Sequence, residues 1–211
     1  MLKLFVGLLI AAMPLFSQAA EEPAYRMVRQ LDGAEVREYP AYVVAEVLVP
    51  GPAEEAGSQA FPILAGYIFG KNKGEKKFAM TAPVTQVAAP VKLEMTAPVK
   101  QEAAATGGFL VQFVLPKGVA LASAPEPLDA RVVLREVPAS RVAVVRYSGL
   151  WSQRNYSEHL EQLQAALRAA QLAWAGEPIL SRYDPPFTPW FMRRNEIWLT
   201  LAPEPQSETP K

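Results

Sequence analysis

His159 is the only histidine of the chain. A lone imidazole can move a proton near neutral pH or give one nitrogen to a metal, but it cannot build a multi-histidine metal site. Further on, Arg193, Arg194 and Glu196 stand close together. A guanidinium holds a carboxylate through two parallel hydrogen bonds, so either arginine suits an anionic ligand or an internal pair with Glu196. The run from Lys71 to Lys77 carries four lysines, which make either a solvated turn or a place where an anion gathers. There is no cysteine, which excludes disulfides, thiolate nucleophiles, thiolate metal sites and an acylated lipoprotein cysteine. No Gly-x-Ser-x-Gly elbow, His-Glu-x-x-His pair or phosphate-binding glycine loop occurs. Glu196 is left as an acid or base without a partner that spacing identifies. A binding protein is expected, not an enzyme.

These residues need elements to hold them. His159 falls in a stretch where Tyr156, Leu160, Leu163, Leu167, Ala170 and Trp174 recur every three to four residues, with Ser152 as cap and Gly176 and Pro178 as terminators. On a helical wheel it sits about 60° from the centre of the apolar face, at a pocket edge or an ordinary boundary. A poorer helix spans roughly Glu54 to Phe69, with Phe61, Leu64, Ala65 and Ile68 as its stripe, Pro62 beginning or kinking it and Gly70 closing it. Alternating apolar residues predict strands at Phe109 to Leu115 and at Ile197 to Leu201.

Two repeats organise the chain. Val36 to Gly51 (VREYPAYVVAEVLVPG) matches Leu134 to Gly149 (LREVPASRVAVVRYSG), 98 residues on, at 8 of 16 positions without a gap. Two copies of a strand-helix unit, about 24–115 and 131–202, are expected to share one core. Within the first copy, Met80 and Met95 open identical Met-Thr-Ala-Pro-Val pentads. Their alternation predicts strands folding back around Ala89 and Pro90, with Val84 facing Met95 and Pro83 and Pro98 at a sheet edge. The same methionines would also suit the mouth of an apolar pocket.

With 211 residues, half of them apolar, the chain can bury a full core. Basic and acidic residues balance at 21 each, which gives no pull toward nucleic acid or anionic membranes. Met1 to Ala19 reads as a signal peptide: Lys3, an apolar run from Leu4 to Ala12, then small residues, with cleavage expected after Ala19. The apolar run is too short to span a bilayer and Pro14 interrupts it. The expectation is a periplasmic or secreted single domain over 20–202, without stable membrane insertion after cleavage and with a flexible tail at 203–211.

LREVPASRVAVVRYSG, the paired pentads and above all RYDPPFTPWFMRRNEIWLTL (Arg182 to Leu201) resemble the SOUL haem-binding family in a bacterial exported form, over roughly Ala24 to Leu201. The resemblance implies an α+β fold: a distorted antiparallel β-barrel of two pseudo-repeated halves, each with one flanking helix, and an apolar cleft for haem or another tetrapyrrole. It implies a small-molecule partner and haem as ligand. The slot would be lined by Phe61, Leu64, Ile68, Met80, Tyr156 and Leu163. His159 would be a candidate axial ligand, and Arg193 and Arg194 candidate propionate clamps. The fold is also similar to effector-binding domains of multidrug-responsive regulators, which implies two alternatives: a binding module for another apolar or cationic small molecule, with Glu196 or Glu46 as counter-charge, or a hydrolase of such a molecule. No helix-turn-helix accompanies it. The proline-braced loop Tyr183 to Pro189 would wall a pocket or plug a barrel end.

Overall fold

The structure is a computed structural model and describes residues 21–89, 108–185 and 187–203. The expected leader, the second pentad at 95–99 and the tail beyond residue 203 lie outside the described residues. In chain order the elements are β1 (Arg26–Gln30), β2 (Glu35–Tyr39), β3 (Tyr42–Pro50), α1 (Ala53–Ile68), β4 (Val84–Ala88), β5 (Gly108–Val114), β6 (Val133–Val137), β7 (Ser140–Tyr147), α2 (Gln153–Ala169), β8 (Trp174–Arg182) and β9 (Asn195–Leu201).

All nine strands form one antiparallel sheet in the order β1-β2-β7-β9-β8-β4-β5-β3-β6. Read inward from β2 the order is β2, β7, β9, β8; from β6 it is β6, β3, β5, β4. Each run of strand, helix and two strands thus folds alike, and the short strand before each run pairs with the other run. The order has two ends, β1 and β6, where a closed barrel would have none. At both strand-to-helix turns the chain needs a left-handed residue, and glycine supplies it: Gly51 at φ 102° and Gly149 at φ 120°.

Both helices lie on one face of the sheet. Ala56, Ala60, Leu64 and Ile68 of α1 pack on Val43, Ala45, Val47, Val111 and Phe113. Leu163 and Leu167 of α2 pack on Ala143, Val145, Ile197 and Leu199. Each fully buried leucine contributes about 1.5–3 kcal/mol by leaving water. Ser152 caps α2 by accepting from the Asn155 N–H, and α1 runs on through Pro62. On the other face Tyr39 stacks on Trp198 at 5.0 Å beside Val142 and Val144, all buried.

Two expectations are corrected, and a third is decided between its alternatives. The second helix stops at Ala169, where Gln171 turns at φ 56° and Leu172 N–H closes on the Leu167 carbonyl. Trp174 therefore opens a strand, and Pro178 falls in the register shift between Ala175 and Ile179, where no ladder bond is asked of it. The first pentad is not at an edge: Val84 begins β4, between β5 and β8, and faces Phe113 and Arg182 instead of Met95. Pro83 lies just ahead of that strand, so its missing N–H costs the ladder nothing. The lysine-rich loop is an ordered turn, tied by the Asn72 side chain to the Tyr67 and Lys76 carbonyls at 2.9 and 2.8 Å.

Candidate functional site

The first turns of the two helices border one and the same opening. Between them an open cleft of about 200 Å³ reaches down to the sheet. Ala53 and Glu54 border it from α1; Trp151, Ser152, Gln153 and Tyr156 border it from α2. The sheet strip beneath presents Gln86 and Ala88 of β4, Phe109 of β5, Tyr147 of β7, and Leu180 and Arg182 of β8. Antiparallel pairing explains the strip: Gln86 lies opposite both Leu180 and Val111, and side chains of directly paired residues share a face. The lining is mostly apolar and aromatic with a few polar groups, the composition of small-molecule sites.

The polar groups are of two kinds. Burial pushes the Tyr147 hydroxyl up to about 12, against the pull of Arg182, and burial likewise raises that of Tyr156, so both remain protonated donors. Gln86 is 5% exposed; its Nε2 donates to the Ala53 carbonyl at 2.8 Å, and its Oε1 has no partner among the described residues. Arg182 lies over the Trp151 ring at 4.6 Å, and Arg193 lies over the same indole at 4.4 Å. The Nε of Arg182 is buried without a hydrogen bond to any described residue. Burial pulls the Arg182 pKa down, as does the charge of Arg193, while Tyr147 and Glu54 pull it up.

Of the candidate site residues named from sequence, only Tyr156 lines this cleft. Leu64, Ile68 and Leu163 are 0–1% exposed and belong to the helix-sheet core. Their stripe positions point them straight at the sheet, which makes them packing residues. Phe61 is half exposed and meets Phe113 edge-on at 5.6 Å, and Met80 packs beside the α1 core. His159 stacks on Tyr147 at 4.2 Å and bonds through Nδ1 with the Asn155 carbonyl at 2.7 Å, outside the cleft lining. Among the described residues no group of three or more His, Cys, Asp or Glu is placed to hold a metal.

Arg193 donates from Nε to the Thr188 carbonyl at 2.8 Å. Arg194 is engaged on the opposite face: it donates to Glu196 at 2.9 and 3.0 Å and to Glu22 at 2.8 and 3.0 Å, and lies over Tyr183 at 3.7 Å. The internal pair with Glu196 is therefore what the arginine does. Glu196, fully buried, also accepts from Arg37 at 2.8 and 3.1 Å, from Tyr183 at 2.8 Å and from Trp198 Nε1 at 2.9 Å. Glu46 is taken up likewise, by Arg135 at 3.1 Å and Gln112 at 2.8 Å. Both carboxylates sit away from the cleft, on the helix-free face, and neither offers it a counter-charge.

The loop after β8 neither walls the cleft nor plugs the sheet: Phe187, Trp190, Phe191 and Met192 are all more than half exposed. A second opening of about 280 Å³ lies beside Glu21, Glu22, Pro40, Thr81 and Pro116. Its charged lining residues are Glu21, Glu22 and Lys117, and Glu22 is already held by Arg194. Sequence reasoning missed Arg182 because Trp174 to Pro178 was read as the end of a helix, and Trp151 and Gln86 because neither belongs to an apolar stripe. For Arg182 the signal was present in the Ile179–Arg182 alternation just before the proline-rich loop.

The model of the SOUL heme-binding protein family matches residues 20–200. The chain is 28% identical to heme-binding protein 2 of Homo sapiens over 204 residues, 94% of each chain. It is 28% identical to heme-binding protein 1 of Mus musculus over 152 residues, 72% of this chain and 74% of that one. Among solved structures, the EcmrR C-terminal domain superposes with a TM-score of 0.55 at 15% identity, over 84% of this chain and 98% of that one. A hydrolase from Listeria innocua gives 0.53 at 11% identity, over 80% and 91%. At such identities these two likenesses speak for the fold alone.

Proposed function

The chain belongs to the SOUL heme-binding protein family, and from that premise we propose that it binds haem or a related tetrapyrrole, without catalysis, in the cleft between the first turns of α1 and α2. The observation that carries this reading is the cleft itself: an open apolar slot whose walls are Tyr156, Leu180, Phe109 and the Trp151 indole. Flat aromatic walls suit a planar ring, which gains contact area at small cost in side-chain order. The cleft is smaller than the roughly 300–1,000 Å³ of sites that engulf a ligand. One edge of the macrocycle is seated and the other faces water, as befits a carrier, buffer or sensor that must release its load. We further propose that the protein is exported after loss of residues 1–19, and that its two like-folded halves arose by duplication.

Haemin titrated into the protein is expected to give a saturable Soret shift at one equivalent. Broadening without saturation at micromolar haemin would contradict the reading. Because His159 bonds to Asn155 and stacks on Tyr147, His159→Ala is expected to leave the Soret position unchanged and the affinity within about threefold, less than 1 kcal/mol. Loss of a defined Soret band in that variant would restore the histidine as iron ligand.

A further inference from the structure

We propose that Arg182 is the anion anchor of the cleft, so that the site selects amphipathic organic acids over neutral or cationic molecules of the same shape. This deepens the reading of the cleft as a ligand site and rests on it.

A buried guanidinium is normally paired, because an uncompensated charge inside a protein costs several kcal/mol. Among the described residues Arg37 and Arg194, both turned inward, obey the rule by sharing Glu196. Arg182 makes no ion pair or hydrogen bond with a described residue, although its Nε is buried. It is also held in place. The Trp151 ring lies 4.6 Å away, and a Cβ on Gly57 would come within 2.8 Å of its Nη1. The guanidinium therefore lies close against α1 at Gly57.

The surroundings favour negative charge. Both helices begin at the cleft, and their first turns carry partial positive charge. Gln86, on the neighbouring strand, works the other way: its Nε2 is spent on the Ala53 carbonyl and its unpartnered buried atom is Oε1, an acceptor that suits a donor on the ligand and not its carboxylate. The acidic residues of the lining, Glu54 and Glu177, are exposed at its rim, within reach of solvent. A carboxylate entering with its apolar body against Tyr156 and Leu180 meets a fixed, partly desolvated cation, where a charge-assisted hydrogen bond is stronger than in water.

Two ligand pairs that differ in charge test this on the full-length mature protein: haemin against its dimethyl ester, and 1-anilinonaphthalene-8-sulfonate against neutral 1-anilinonaphthalene. In the wild type each anion is expected to bind about ten- to a hundredfold tighter than its neutral partner. Arg182→Gln should reduce both ratios to near one while leaving the neutral ligands within twofold, and Arg182→Lys should keep part of each preference. A merely structural arginine would weaken anion and neutral ligand alike, and that outcome, or ratios unchanged in Arg182→Gln, would overturn the anchor. If neither haemin nor its ester binds saturably while the naphthalene pair shows the Arg182-dependent ratio, the tetrapyrrole reading fails and the anchor stands. If the naphthalene ratio ignores Arg182, the anchor fails whatever haemin does.

Discussion

Glu196→Ala is expected to lower the unfolding free energy by about 3 kcal/mol, because it takes from the buried Arg37 its fully buried partner and leaves it only the part-exposed Glu35. Arg37 is 2% exposed and Glu196 0%, and the carboxylate also receives Arg194, Tyr183 and Trp198. Urea denaturation followed by tryptophan fluorescence measures the loss. The double replacement Arg37→Met with Glu196→Leu should cost much less, since it removes the charges together. Equal losses in single and double variants would show that packing, not the stranded charge, sets the cost.

The same network fixes the pH response. Burial pushes the Glu196 pKa upward, but the hydrogen bond and charge of Arg37, the charge of Arg194 and the Trp198 donor outweigh it and hold the group below the usual carboxylate range. Between the ordinary value and the folded one, the unfolded chain takes up a proton that the native protein refuses. The contribution is therefore complete above roughly pH 5 and declines as pH falls through the folded value. On the alkaline side, burial pushes Tyr67 and Tyr147 up to about 12 and raises Tyr183 as well. Their contribution is complete below roughly pH 10 and is lost above it, as the unfolded chain ionises first.

The second large effect separates core from cleft. Leu64→Ala and Leu163→Ala should each cost about 2–5 kcal/mol in stability, as fully buried leucines do when a cavity replaces them. The haemin affinity of the folded fraction should hardly change. Tyr156→Ala should do the reverse, weakening haemin about tenfold or more for a modest stability loss, because this ring is partly buried and borders the cleft. A Leu64→Ala protein that folds stably but no longer binds would move the site to the middle of α1.

Periodicity revealed the helix starts, the Ser152 cap and the strands before Pro116 and Pro203, since each depends on local spacing and capping chemistry. The matching Arg37 and Arg135 also found alike roles, each reaching a buried carboxylate on the helix-free face. What was not legible required knowing which strands become neighbours. Val84 faces Phe113 and Arg182 through pairings separated by long stretches of chain, so the pentad's own symmetry suggested the wrong partner. The apolar stripes of both helices drew attention to Leu64 and Leu163, yet an amphipathic stripe marks what the sheet covers. The cleft is bordered by first-turn and strand-end residues, which carry no period at all. Arg182 stood out only once its lack of a partner was visible in three dimensions.

A crystal structure of the haemin complex tests the central claim most directly. The account predicts a macrocycle wedged between the first turns of α1 and α2, with its ring against Tyr156 and Leu180 and one propionate on Arg182. A ring seated beside Glu21 and Pro116, or held through His159 outside the cleft, would contradict it.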